Sequence, residues 1–395
     1  MTASGVSGAT LLWSVDREYV WSLFERFVAA DTSVRLGETA VSPADPRVAA
    51  FASDVAAREL RALGAVVEVD SLNNVVGRFS ALSGSEVGVV SYPVTHHANR
   101  MADPLRARTA VVHGETGWVG LGASQGKAGL AAACGAVQAL LESGMDLSGR
   151  VVLAVSSEGS SSHKSAEVLF RTLDPHPAAV VLTIGTENSL LLGNRGRIDI
   201  RVDIAGRATH SSSPDSGVNP ILQVESVLRG LGKVAIDRTP HPLLGARNLV
   251  PYSLVCRPQA PHTIPETCRI TIDRRILPGD SPEAAVEEVA EAMAGLQVEV
   301  SMGPLMLPAL TSQDLPTIAL LRRAAESALG RRLAPSYPAW TFDAGYPVSL
   351  GIPTLMFGPS AAGASSTGVL DDDTVPQKMV MEAANAYAAF MAASG

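Results

Sequence analysis

Three short apolar runs constrain this chain most. "VGVVS" at Val87 to Ser91, "VVLAVS" at Val151 to Ser156 and "AVVLT" at Ala179 to Thr183 hold apolar residues without polar alternation. Such runs suit strands covered on both faces, the situation of a parallel sheet between layers of helices. A further strand is expected at Ala65 to Val69, and helices at Glu18 to Ala29 and Pro46 to Leu63. The alanine-rich "AGLAAACGAVQALLESG" is too short to span a bilayer and reads as a buried helix ending at Gly144. Alternating helices and strands predict an open α/β sheet, whose functional groups sit at the carboxyl ends of the strands. One such end is unusual: Val151–Val155 runs into "SSEGSSSH", serines around the single acid Glu158.

The texture changes after Gly196. "RIDIRVDIAG" alternates apolar and polar residues with period two, as a strand with one wet face does. A helix at Pro220 to Leu231, strands at Leu249 to Cys256 and Arg269 to Ile276, a helix capped at Ser281 and the strand "LQVEVSM" follow. Strand-helix-strand-strand-helix-strand is a compact α+β insert. After Leu315 the α/β pattern resumes with a helix, the strand in "IPTLMFGP" and a final helix beyond Val375. The expected organisation is a discontinuous α/β domain, 1–195 and 306–395, interrupted by a smaller one, 196–305. At 395 residues the chain is long enough for both.

Composition excludes several classes. Apolar residues make up 46% and charged ones 18%, the balance of a globular protein. A net charge of −8 repels phosphate backbones and acidic lipid, so neither nucleic acid nor membrane is an expected partner and a small molecule is. Cys134, Cys256 and Cys268 share no Cys-x-x-Cys spacing, which indicates neither a disulfide framework nor a thiolate zinc site and fits a reducing cytoplasm. The first twenty residues lack a basic region and an apolar core, so no export signal is expected.

At "GRATHSSSPDSGVNPI", Gly206 to Ile221, the sequence resembles the dimerisation-domain motif of the dizinc peptidase and amidohydrolase family that includes acetylornithine deacetylase, succinyl-diaminopimelate desuccinylase, aminoacylase and the glutamate carboxypeptidases. "GNRGRIDIRV", "TIPETCRITIDRRILPGD", "GLGASQGKAGLAA" and "FDAGYPVSLGIPTLMFGPS" resemble other segments of that family in the right order. The resemblance implies a zinc-peptidase-like mixed sheet covered by helices, a ferredoxin-like dimerisation (lid) domain and a homodimer. It also implies two zinc ions and a glutamate base, but the ligand positions fall elsewhere in residue type. The first histidine falls on Tyr92 and its supporting aspartate on Val94. The bridging aspartate falls on Gln125 and the glutamate pair on Ser157-Glu158. The next acid falls on Thr186, beside Glu187, and no histidine follows His262. Two zinc ions act by lowering the pKa of a shared water and clamping an oxyanion, so this donor set predicts no metal and no cofactor unless ligands are relocated. His96, His97, Asp103 and His113 match no ligand template and read as solvated loop.

The remaining residues have a functional and a structural reading each. Glu158 is either a helix N-terminal acid at the start of Ser160 to Phe170 or a general acid/base whose pKa rises when buried without a cation. Ser157 is either a nucleophile or a hydrogen-bonding pocket serine; a nucleophile needs an adjacent base. Lys127 is either a positioning charge or a surface charge at a helix start. By the resemblance, His210 polarises a substrate carbonyl from the partner subunit, Arg275 clamps a substrate carboxylate and Asn219 lies near the ligand. Their alternatives are a strand-end histidine capped by serines, a role taken by Arg274 on the opposite strand face, and a helix N-cap before Pro220. Tyr92, Gln125 and Thr186 would line a pocket for something polar. Three functions follow: a metal-independent enzyme acting through Glu158, a non-catalytic ligand-binding protein, or a metal-dependent amide hydrolase with relocated ligands. The enzyme's substrate class would be an amino-acid-like or N-acyl amino-acid molecule, and its reactions cyclisation, elimination, isomerisation or acyl transfer.

Overall fold

The computed structural model describes residues 12–35, 38, 40–79, 87–98, 100–112, 114–158, 162–173, 175–362 and 372–393. The chain divides into two compact units. One takes the described residues up to Gly193 with Leu310–Tyr337 and those from Asp343 on; the other takes Asn194–Ala309 and the short segment Pro338–Phe342.

The larger unit is built on an eight-stranded mixed sheet. Its spatial order is Val66–Val69, Val75–Arg78, Val151–Val155, Val87–Ser91, Ala179–Leu182, Thr354–Met356, Leu190–Leu191, Pro335–Ser336. The three apolar runs are its centre: Val87–Ser91 lies parallel to both Val151–Val155 and Ala179–Leu182, and every residue of the three is buried. Helices Arg17–Ala29, Lys127–Glu142 and Gln377–Ala393 supply covering faces, with Phe24, Phe27, Leu130, Leu140, Tyr387 and Phe390 in one core with the strands. Lys127–Glu142 is the alanine-rich helix expected, and small side chains along it let neighbouring elements approach closely; Gly144 follows its end with φ 81°. A separate three-stranded sheet, Arg108–Val112, Glu115–Val119 and Thr374–Pro376, was not read from sequence. Among the described residues no helix is long and apolar enough to cross a membrane.

The smaller unit is a four-stranded antiparallel sheet in the order Asn248–Arg257, Thr267–Ile276, Gly196–Ala205, Val298–Met306. With helices Ile221–Leu231 and Pro282–Ala292 this is the ferredoxin-like arrangement. Ile198, Ile200, Val202 and Ile204 face the helices, while Arg201 and Asp203 alternate with them on the other face, where Arg269 forks onto Asp203. Pro282 at the first helical position and the Ser281 hydroxyl accepting from Ala284 N–H fix the start of the second helix, as expected.

Two expectations need correction. The helix after Glu158 is Lys164–Thr172, so Glu158 lies six residues before it and is not an N-terminal helix acid. The residues 159–161 lie outside the described ones. Cys256 and Cys268 are disulfide-bonded, because strand register sets them directly opposite each other with Cα atoms 4.0 Å apart. Cys134 stays a buried thiol.

One glycine is required by close approach. A Cβ on Gly126, just before the helix Lys127–Glu142, would lie 1.8 Å from the Tyr92 carbonyl oxygen, a backbone atom that cannot swing aside. Gly126→Ala should therefore destabilise the protein by about 3 kcal/mol or more. Urea denaturation measures this; a loss below about 1 kcal/mol would contradict the packing described.

Candidate active site

The carboxyl ends of the three central strands converge on a polar layer. Tyr92 follows Val87–Ser91, Ser156-Ser157-Glu158 follows Val151–Val155, and Thr183 to Thr186 follows Ala179–Leu182. The ends are tied together: Ser91 and Thr183 hydroxyls lie 2.6 Å apart, Ser156 N–H donates to the Ser91 carbonyl and Thr183 N–H to that of Val90. Ser157 is buried. Its N–H donates to Asn74 Oδ1 (2.9 Å) and its hydroxyl lies 2.9 Å from that of Ser165, which in turn donates to Asn74 Oδ1. A serine shared with another hydroxyl rather than with a base is not an activated nucleophile, so the arrangement matches the hydrogen-bonding role.

Glu158 is 6% exposed, and its Oε1 accepts the Ser162 hydroxyl at 3.0 Å. The next residue, His163, holds a contact that sequence reading missed. Its Nδ1 lies 2.7 Å from Asp343 Oδ1, with side chains 6% and 1% exposed. The Tyr92 phenol is hydrogen-bonded to the same carboxylate. Burial pushes Asp343 up against the lowering effect of these two bonds, and burial together with the Asp343 charge raises the Tyr92 phenol well above its ordinary value. The His163 ring sits 5.7 Å from that of Tyr346, which packs on Phe170.

Gln125 and Lys127 are fixed by contacts of their own. Asp373, wholly buried, accepts from Gly122 N–H (2.7 Å), Ser124 N–H (2.8 Å), the Ser124 hydroxyl (2.5 Å) and Gln125 Nε2 (2.7 Å). Gln125 Oε1 accepts His96 N–H at 2.7 Å, so the amide is engaged at both ends. Lys127 is not the surface charge that one reading allowed: it is fully buried, with Nζ donating to the Ala30 carbonyl at 2.7 Å. Burial brings its pKa down to about 7, opposed by the charges of Asp31 and Asp373. Thr186 is buried, its hydroxyl 2.8 Å from the Ser189 carbonyl and accepting Gly358 N–H at 3.1 Å. Glu187 is exposed with φ 55°, its N–H donating to the Ser360 hydroxyl.

His210, Asn219, Arg274 and Arg275 belong to the smaller unit. His210 is exposed and its Nδ1 pairs with the Ser212 hydroxyl at 2.8 Å. Asn219 Oδ1 accepts Ile221 N–H, the capping role. The two arginines do point to opposite faces. Arg274 is buried against Glu288, while Arg275 forks onto Asp273 at 2.7 and 2.9 Å and donates to the Thr341 hydroxyl. The guanidinium expected to hold a substrate carboxylate thus already holds one from its own strand. Among the described residues no three His, Cys, Asp or Glu side chains are grouped to hold a metal ion; His113 lies outside them.

A family model described as a peptidase dimerisation domain, M20_dimer, matches residues 192–300. The smaller unit thus matches a peptidase dimerisation domain over most of its length. The YgeY protein of Escherichia coli (strain K12) is 28% identical over 204 residues, 46% of this chain and 50% of that one. This chain thus spans about half the length of that relative. A succinyl-diaminopimelate desuccinylase of Helicobacter hepaticus is 24% identical over 255 residues, 60% of this chain and 64% of that one. In fold, the dipeptidase Dug1p of Saccharomyces cerevisiae is similar with a TM-score of 0.75 at 12% identity, covering 96% of each chain. Together with the mixed sheet, these matches give the chain the fold of that dipeptidase, interrupted by a unit that matches the dimerisation-domain model.

Lys127 makes stability pH-dependent in a set direction. Its folded pKa of about 7 lies below its unfolded value, so the unfolded chain binds the extra proton between about pH 7 and about pH 10. Its contribution therefore rises with pH across that window, by up to about 1.4 kcal/mol per unit, and is lost as pH falls to 7. Urea midpoints at pH 7 to 9.5 should show the parent gaining on Lys127→Met; equal slopes would contradict the burial of a lysine that titrates there.

Proposed function

We propose that this chain is an enzyme of peptidase and amidohydrolase descent that acts by proton transfer from its own side chains, with Glu158 as a general acid/base. The supporting observation is a carboxylate only 6% exposed at the carboxyl end of a central strand, hydrogen-bonded by Ser162. The carboxyl end of a central strand is where an open α/β sheet places its functional groups, and a carboxylate there can serve as a general acid/base. The substrate class is a small amino-acid-like or N-acyl amino-acid molecule, in keeping with the desuccinylase relative. Cyclisation, elimination, isomerisation and acyl transfer all fit one carboxylate without an activated serine.

The positions that the resemblance assigns to zinc do not fit two zinc ions. Tyr92 is a buried phenol bonded to Asp343, Gln125 a neutral amide bonded to Asp373 and His96, and Thr186 a hydroxyl bonded to backbone. Paired zinc ions are held by imidazoles and carboxylates. No step is therefore assigned to a metal. The smaller unit supplies a surface for a homodimer, supported by its match to the dimerisation domain. The Cys256–Cys268 disulfide removes the ground for placing the chain in a reducing compartment.

A second reading is a binding protein without catalysis, in which Gln125 and Thr186, satisfied by the protein itself, serve as rigid walls and no group exchanges protons. Turnover separates the two. Incubated with a panel of N-acyl amino acids and followed by mass spectrometry, the parent should convert at least one member, and Glu158→Gln should lose on the order of 100-fold or more in rate while keeping its melting temperature. Binding without conversion by the parent, or equal conversion by both, would overturn the enzyme reading.

A further inference from the structure

We propose that His163, its Nδ1 held by Asp343, is a second catalytic group of this site, a general base whose Nε2 exchanges the proton opposite to the one Glu158 handles. The inference rests on the proton-transfer reading above and extends it to a residue that neither the sequence motifs nor the resemblance singles out.

The arrangement is specific in ways that packing does not ask for. His163 and Asp343 are 180 positions apart and both nearly fully buried, 2.7 Å from ring nitrogen to carboxylate oxygen. Enclosing a carboxylate and an imidazole costs the hydration of both, and an apolar pair of the same volume would serve stability as well or better. The carboxylate faces Nδ1, so in the neutral imidazole Nδ1–H donates to Asp343 Oδ1 and the lone pair is on Nε2. A carboxylate that fixes the tautomer and steadies the imidazolium is how a histidine base is oriented in unrelated hydrolases. The Tyr92 phenol on the same carboxylate holds the orienting group in turn. Asp343 is thus a positioning residue and His163 the catalytic one.

Location supports the pairing with Glu158. Both lie on the connection between the strand Val151–Val155 and the helix Lys164–Thr172, and Ser162, the neighbour of His163, donates to Glu158. The proton balance closes without a co-reactant: His163 Nε2 takes a proton as a C–H, N–H or O–H bond of the substrate breaks, and protonated Glu158 gives one to the new X–H bond. When the product leaves, the imidazolium returns its proton to the Glu158 carboxylate through solvent, which restores both groups. Isomerisation and cyclisation with no net gain or loss of protons are the classes this pair serves.

The test uses His163→Asn, whose amide Nδ2 can take the place of Nδ1 on Asp343 but which has no basic nitrogen. The expected result is a melting temperature within a few degrees of the parent and conversion of the panel substrate reduced on the order of 100-fold or more. Asp343→Asn should lower kcat with KM little changed. Should the substituted chains not fold, 15N-labelled histidine in the parent gives the same information: Nδ1 protonated in the free protein, and the Nε2 resonance shifting when the converted substrate is added. Full activity of folded His163→Asn, or an Nε2 resonance indifferent to substrate, overturns the inference and leaves the pair as a structural clasp. If Glu158→Gln is inactive while His163→Asn is active, only this inference falls; if both are fully active, the proton-transfer reading falls with it.

Discussion

Burial of carboxylates against neutral donors is the constraint on which the central layer depends. Asp373 is wholly enclosed and satisfied by two amide N–H groups, a serine hydroxyl and a glutamine amide, and through them it fixes the loop Gly122 to Gln125. Asp343 is enclosed with an imidazole and a phenol, and Glu158 with a serine hydroxyl. An enclosed carboxylate is costly unless hydrogen bonds replace its water, so each of these acids dictates the rotamers around it. Gly126 belongs to the same economy of space: the loop can run against the Tyr92 carbonyl only because nothing projects from that Cα.

A fold shared with peptidases leaves the chemistry at the ends of its strands open. The sheet sets where side chains emerge, and the residues that emerge decide the chemistry. Here a phenol, an amide and hydroxyls emerge alongside Glu158, and each has a protein partner. A group that is already satisfied makes a rigid wall, whereas a group that exchanges protons must stand where a substrate can reach it.

Much of the fold was legible because it rests on local pattern. The uninterrupted runs at Val87, Val151 and Ala179 became the central strands, and the period-two alternation of "RIDIRVDIAG" became a strand with Ile198, Ile200, Val202 and Ile204 inward. What escaped depends on contacts between distant positions. The disulfide follows from the register of two strands, which the spacing of Cys256 and Cys268 does not encode. His163 closes the quoted serine run and Asp343 stands in "FDAGYP", yet no periodicity links residues 180 positions apart. Lys127 was legible as a charge at a helix start but not as a buried one, since its burial comes from Ala30 and the close approach of neighbouring loops. The position of Glu158 was legible; its separation from the helix was not.

The central proposal is that protein hydrogen bonds, and not metal ions, hold this layer of carboxylates. Elemental analysis of the protein, purified without chelator and exchanged into metal-free buffer, tests it most directly. The account predicts well under one equivalent of zinc or any other transition metal per chain. Two tightly bound zinc ions per chain, lost only together with the folded state, would contradict it.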